Sequence, residues 1–201
     1  IDNDSQGNVS LTFAINPDNF EYTLYDVLLN DLDPKDAIQK VYKNIDILPS
    51  NDDMGYFDLD VVVDERYKNK VLQVFNERLS DLKTMYDCII IDNPPSFGLA
   101  VGNSLNFTEN GGVIIPFQPE VYSMRSLQKT IQQIENFKRR SNPDLSVKVV
   151  VGTLIDTRTS IHSQVLQECR KYCLEKGIPM SEVVIPRSIR YSNSVGFKRL
   201  P

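Results

Sequence analysis

The stretch Tyr86-Asp87-Cys88-Ile89-Ile90-Ile91-Asp92-Asn93-Pro94-Pro95-Ser96-Phe97-Gly98 decides how the chain folds. Residues 88–91 are wholly apolar, and three β-branched isoleucines favour a strand buried on both faces. The run stops at Asp92. Pro94 and Pro95 each lack a backbone donor and fix their own φ, so the chain leaves the sheet there. A carboxylate therefore stands at the carboxyl end of a buried strand, where open α/β sheets bind ligands. Two readings stay open on these residues. One is a strand-terminal Asp that makes a turn; the other is a carboxylate that holds Mg2+ directly or through water.

Working outward, the same punctuation recurs. The helical spacing of Val71, Leu72, Phe75, Leu79 and Leu82 predicts a helix leading into the Asp92 strand. Ser96–Asn106 reads as a small-residue loop and helix, broken by Gly111-Gly112. Residues 113–115 form a second buried strand stopped by Pro116, with Gln118-Pro119-Glu120 as its exit. Met124, Leu127, Ile131, Ile134 and Phe137 line one face of the next helix. Its end in Lys138-Arg139-Arg140 suits a helix C-terminus. Residues 147–155 read as a third strand, leaving through Asp156-Thr157-Arg158-Thr159, and residues 183–185 as a fourth, stopped by Pro186. Earlier, Tyr22–Leu29 and a segment started by Pro34 and carrying Ala37, Ile38 and Val41 read as helices. Residues 45–48 read as a short strand, while 61–65 stay open between linker and helix entry. Strand–helix alternation predicts an α/β fold: three layers, a mostly parallel sheet flanked by helices, in a single domain over residues 1–201. Right-handed crossovers would bring the strand exits to one edge of the sheet.

Bulk properties limit the function. The 201 residues suffice for one sizeable core, with 41% apolar and 24% charged residues and a net charge of −5. Contact with nucleic acid must then come from a local patch. From Pro186 to Pro201 there are Arg187, Arg190, Lys198 and Arg199 and no acid. Such a run is either a solvated face or a surface that neutralises phosphates without reading bases. No apolar run approaches the roughly 20 residues of a spanning helix. Cys169 and Cys173, four apart beside Val165, Leu166 and Tyr172, read as core residues of a helix, and the three cysteines as free thiols. His162, the only histidine, reads as a solvated or capping residue at a helix start.

Asp2-Asn3-Asp4-Ser5-Gln6-Gly7-Asn8 holds two carboxylates at i and i+2. No Gly-x4-Gly-Lys-Ser/Thr loop occurs in these residues. A phosphate loop is expected before Ile1, and further chain after Pro201.

Four stretches taken together, Ile1-Asp-Asn-Asp-Ser-Gln-Gly-Asn8, Ile91-Asp-Asn-Pro-Pro-Ser96, Asp156-Thr-Arg-Thr159 and Ile185-Pro-Arg-Ser-Ile-Arg-Tyr-Ser192, resemble the ParA/Soj partition ATPases, deviant Walker-motif NTPases related to MinD. The resemblance implies a P-loop NTPase fold, incomplete here at both ends, with ATP and Mg2+ as cofactors. It implies that Asp4 positions or activates the attacking water near Mg2+, with Asp2 as the supporting acid. Asp92 matches the acid that binds Mg2+ through water. Pro186 and the loop after it, Arg187 included, match the segment that walls the adenine. Arg158 and Arg187 match positions that touch non-specific DNA, and Arg190 is a neighbouring candidate. The implied partners are a second copy of the chain in an ATP-dependent homodimer, non-specific DNA and a ParB-like centromere-binding protein, in a nucleoid-associated cytoplasmic setting without a membrane. The alternatives are a MinD-like positioning ATPase and a non-catalytic binding module. Two departures stand out: Ser5 replaces the usual proline of the D-x-D-P-Q motif and Asn3 an apolar residue. Both are expected to loosen the loop that holds Asp4.

Overall fold

In a computed structural model, which describes residues 1–109, 111–156 and 158–188, the Asp92 segment lies beside the start of the chain. Asp2 and Asp92 form a parallel bridge. Asp92 N–H donates to Ile1 O at 2.9 Å and Asn3 N–H to Asp92 O at 2.8 Å. On its opposite edge, Asp2 N–H donates to Leu48 O at 3.0 Å. Three extended segments far apart in sequence are thus held side by side.

The expected burial of residues 88–91 on both faces does not hold. Ile89 and Ile91 pack on the core, whereas Cys88 is exposed and Ile90 is 77% exposed. Cys88 and Ile90 border a groove of 420 Å³ rather than a packed layer. An extended chain alternates its side chains between two faces, and an all-apolar run cannot say whether both are covered.

Around this pairing, residues 1–107 form one compact unit. Its helices are α1 (Asn8–Thr12), α2 (Leu24–Leu29) and α3 (Pro34–Ala37), followed by strands β1 (Gln39–Tyr42) and β2 (Ile45–Ile47), then α4 (Phe57–Val63), α5 (Val74–Leu79), α6 (Leu82–Met85) and α7 (Leu99–Phe107). The helix expected from Pro34 through Val41 ends after one turn. Ile38 is already extended, and β1 pairs antiparallel with β2. Asn44 takes φ 63° in the tight turn between them. β-branched residues ahead of a turn-forming Asn favour a hairpin over a helix. The single helix expected over 71–82 is two short ones, α5 and α6, with Val71 and Leu72 ahead of them. Residues 61–63 close α4.

The core of this unit holds Leu24, Val27, Leu28, Phe57, Val61, Val74, Phe75 and Leu79, all without exposed surface. Phe75 meets Phe57 and Phe107 edge-on, with ring centroids 6.4 and 6.3 Å away. The N-terminus of α7 is capped from α4: the Asp58 carboxylate accepts the N–H groups of Leu99 and Ala100, both at 2.9 Å. A Cβ at position 98 would collide with that carboxylate, so only glycine lets it reach the helix.

Residues 108–188 form a second unit. Here β3 (Val113–Phe117) and β4 (Val147–Gly152) are parallel, and helices α8 (Ser123–Arg140) and α9 (Ser160–Lys176) belong to the same unit. Buried Met124, Leu127, Ile131 and Ile134 form the inner stripe of α8; Cys169 and Cys173 are buried on α9. Pro116 does not stop β3, which runs on to Phe117. Phe117 O accepts from Thr153 N–H at 2.8 Å. By alternation the nitrogen of Pro116 points away from β4, where its missing proton costs nothing. The fourth strand is reduced to single parallel bridges, Val150 with Met180 and Ile155 with Pro186. Val183 is exposed, so this segment is not the buried strand that its apolar residues suggest.

Phe75→Ala removes a fully buried ring shared by three elements. The expected cost is about 3–5 kcal/mol of unfolding free energy, read from the urea midpoint. A loss under about 1 kcal/mol would contradict this packing.

Candidate functional site

The backbone pairing of residues 1–3 with 91–92 creates the first site. Asp2 has no exposed surface. One of its oxygens accepts Asp4 N–H at 3.2 Å and the other Val9 N–H at 3.0 Å. Burial pushes its carboxyl up to about 6 against those two hydrogen bonds, which pull it down. Each of its oxygens is engaged by the loop, so buried Asp2 shapes the turn. Gly7 completes the turn at φ 64°, and its N–H donates to Asp4 O at 3.1 Å.

Asp4 is half-buried and Asp92 exposed at the end of its segment. Asp4 Oδ1 accepts Gln6 N–H at 3.1 Å. Partial burial first, and the charge of Asp4 second, raise the Asp92 carboxyl above the ordinary range. The Asp92 charge also helps to raise the Asp2 carboxyl, so both acids of the Asp2/Asp4 pair feel Asp92, and Asp4 is the one with exposed surface. Two like charges in mutual reach are what a divalent cation would relieve. No cluster of three His, Cys, Asp or Glu side chains able to hold a metal occurs among the described residues. The Asp4–Asp92 pair fits Mg2+, which takes one or two carboxylates and completes its shell with water and phosphate oxygens.

Asn3 behaves differently from its expected loosening effect. It is 1% exposed, and its Nδ2 donates to Asn93 Oδ1 at 2.9 Å and Ala100 O at 3.1 Å. Ser104 Oγ donates to the same Asn93 oxygen at 2.7 Å. A polar residue here ties the Asp4 loop to the exit after Asp92 and to α7. Asn3 Oδ1 has no partner among the described residues. No local signal in the sequence could have found this network, because its members lie about 90 residues apart. Ser5 is half-buried and does not share in it.

The second site is in the unit 108–188. The bridge between Ile155 and Pro186 sets two exits side by side, with Arg187 N–H donating to Ile155 O at 2.9 Å. Arg158 and Arg187 therefore leave neighbouring parallel segments. Arg158 is clasped by Asp156: its Nε donates to Oδ1 at 2.9 Å and its Nη2 to Oδ2 at 2.8 Å. These bonds hold the Asp156 carboxyl well below the usual range. His162 is buried, not solvated. Its Nδ1 accepts Asp156 N–H at 3.0 Å, a capping-type role, and its Nε2 faces Glu120 Oε1 at 3.9 Å. The candidate Arg190 lies outside the described residues, as does the run that holds Lys198 and Arg199.

A protein-family profile described as an AAA domain matches residues 1–147. The chain is 30% identical to a ParA family protein of Mycoplasma pneumoniae over 210 residues, covering all of this chain and 75% of that protein. It is 31% identical to the sporulation initiation inhibitor protein Soj of Bacillus subtilis, covering 96% of this chain and 74% of Soj. The chain belongs to the ParA family. ParA-type proteins are P-loop ATPases, and the structural likenesses agree. A cobyrinic acid a,c-diamide synthase from Mycobacterium smegmatis, solved with bound ADP and magnesium, superimposes with a TM-score of 0.81 at 26% identity, covering 97% of this chain and 78% of that one. A putative plasmid partition protein of Borrelia burgdorferi bound to AMPPNP shares the fold with a TM-score of 0.78 at 20% identity, over 100% of this chain and 77% of that one. The fold is α/β with a parallel sheet and flanking helices, as the sequence predicts. No described helix is long and apolar enough to cross a membrane.

The raised Asp2 carboxyl gives a signed prediction. Its folded value, about 6, exceeds the ordinary 3.8. The folded state thus holds this proton more tightly, and the resulting stability is full below the unfolded value and lost as pH rises through about 6. For metal-free protein, the urea midpoint should gain less between pH 7.5 and pH 5 in Asp2→Asn than in wild type. Equal pH slopes in the two proteins would contradict the assignment.

Proposed function

We propose that this ParA-family chain belongs to a partition ATPase that dimerises with ATP, binds DNA without sequence preference and moves a plasmid or chromosome together with a ParB-like centromere-binding protein. The observation that carries the ATPase reading is the pairing of Asp2 with Asp92, which leaves Asp4 and Asp92 as like charges in mutual reach. The name of a relative in Myxococcus xanthus, the chromosome partitioning protein ParA, 31% identical over 98% of this chain and 67% of that protein, favours partition among the reactions that this fold supports.

In this reading Asp92 and Asp4 would hold Mg2+, and Asp4 would orient the attacking water. When bound, the metal supplies charge neutralisation for the transferred phosphoryl group, a reaction that needs positioned charge more than covalent chemistry. Asp2 fixes the loop that carries Asp4, and Asn3 fixes that loop to the Asp92 exit. Pro186 and Arg187 wall the base of the nucleotide. Arg158 and Arg187 contribute phosphate contacts that dimerisation doubles.

Turnover of radiolabelled ATP by the full-length protein tests the catalytic assignment. Asp4→Ala should lower kcat by about a hundredfold or more while nucleotide binding persists. A variant that turns over like wild type would contradict it. Wild type should also retain random-sequence duplex DNA in ATP at low salt and release it as salt rises. Recruitment to lipid vesicles in place of DNA would instead favour a MinD-like positioning ATPase.

A further inference from the structure

The two arginines of the 108–188 unit leave adjacent segments but differ in their electrostatic state. No ion pair of Arg187 is seen among the described residues, and its side chain is exposed. Arg158 is 86% exposed yet already committed, with two donors of its guanidinium fork on the two oxygens of Asp156. The pair is neutral as a unit. A bidentate carboxylate occupies the same donors that a bidentate phosphate would use.

Asp156 is itself fixed from several directions. Its side chain is 18% exposed, and its Oδ1 also accepts Arg158 N–H at 3.0 Å. Its own N–H is held by buried His162 Nδ1, and its carbonyl accepts Thr159 Oγ1 at 3.0 Å. The backbone of Asp156 is thus pinned, and the Arg158 N–H holds its carboxylate in place beside the guanidinium. An ordinary exposed ion pair is weak because both side chains must be immobilised to make it. Here the acid is immobilised beforehand, so only the arginine need move.

We propose that Asp156 is an internal counter-ion that limits the affinity of this surface for DNA. It holds the fork of Arg158 closed, and a DNA phosphate must displace it. Arg187 supplies the standing positive charge, while Arg158 is held in reserve. This rests on the DNA-binding reading above.

The test is DNA affinity of the full-length protein with ATP, read by anisotropy on a random-sequence duplex from about 50 to about 200 mM salt. The proteins are wild type, Asp156→Asn, Asp156→Ser, Arg158→Ala and Asp156→Asn/Arg158→Ala, each checked for folding by amide spectra. Either Asp156 variant should bind several-fold tighter. Its slope of log affinity against log salt should steepen by about 0.9 for each Arg158 that gains a phosphate. The gain should vanish when Arg158 is also Ala. A gain of equal size in the Arg158→Ala background would reveal mere removal of a negative charge and would overturn the proposal. So would weaker binding with an unchanged slope in both folded Asp156 variants, with wild type still binding; that result leaves the DNA reading intact. DNA binding by Asp156→Asn where wild type has none would support the counter-ion role and sink the DNA reading for the unmodified chain. Binding by neither would overturn both.

Discussion

The buried carboxylate of Asp2 is the constraint on which the first site depends. A carboxylate without solvent contact is costly unless its oxygens are engaged. Asp2 engages both, on the N–H groups of Asp4 and Val9. These bonds bend the chain directly after its pairing with Asp92, so the next acid, Asp4, emerges where the Asp92 segment ends. Asn3, between the two acids, repeats the principle with an amide. Its side chain secures the exit after Asp92 and the first turn of α7. Placement of charge at this site is therefore a result of buried hydrogen bonds, and the charged groups themselves remain at the rim.

The second unit uses a related device with a different outcome. A single parallel bridge between Ile155 and Pro186 brings Arg158 and Arg187 onto neighbouring exits. Buried His162 then takes the backbone N–H of Asp156 and fixes the acid that meets Arg158. In both units a polar group with little or no exposure sets the position of an exposed charged one.

What was legible in the sequence follows from the range of each interaction. Proline and asparagine act locally, so the exit after Asp92, the start of α3 and the C-terminus of α8 can be read directly. Longer-range effects were not legible. Apolar residues 88–91 read as doubly buried, but coverage of the second face depends on distant chain. Pro116 read as a stop, but its tolerance depends on which way its nitrogen faces in the β3–β4 pair. Asn3 read as a weakness because an isolated polar residue lacks a visible partner, and its partners lie some 90 residues away. His162 read as a solvated or capping residue, and its burial was hidden for the same reason. The cap on α7 comes from Asp58, 41 residues earlier.

The central claim is that Asp4 and Asp92 are electrostatic neighbours. Its most direct measurement is the titration of the Asp92 carboxyl by carbon NMR in metal-free full-length protein, for wild type and Asp4→Asn. Wild-type Asp92 should titrate above the ordinary aspartate range, and neutralising position 4 should bring it down. An Asp92 titration unmoved by Asp4→Asn would show that the two carboxylates do not share a site.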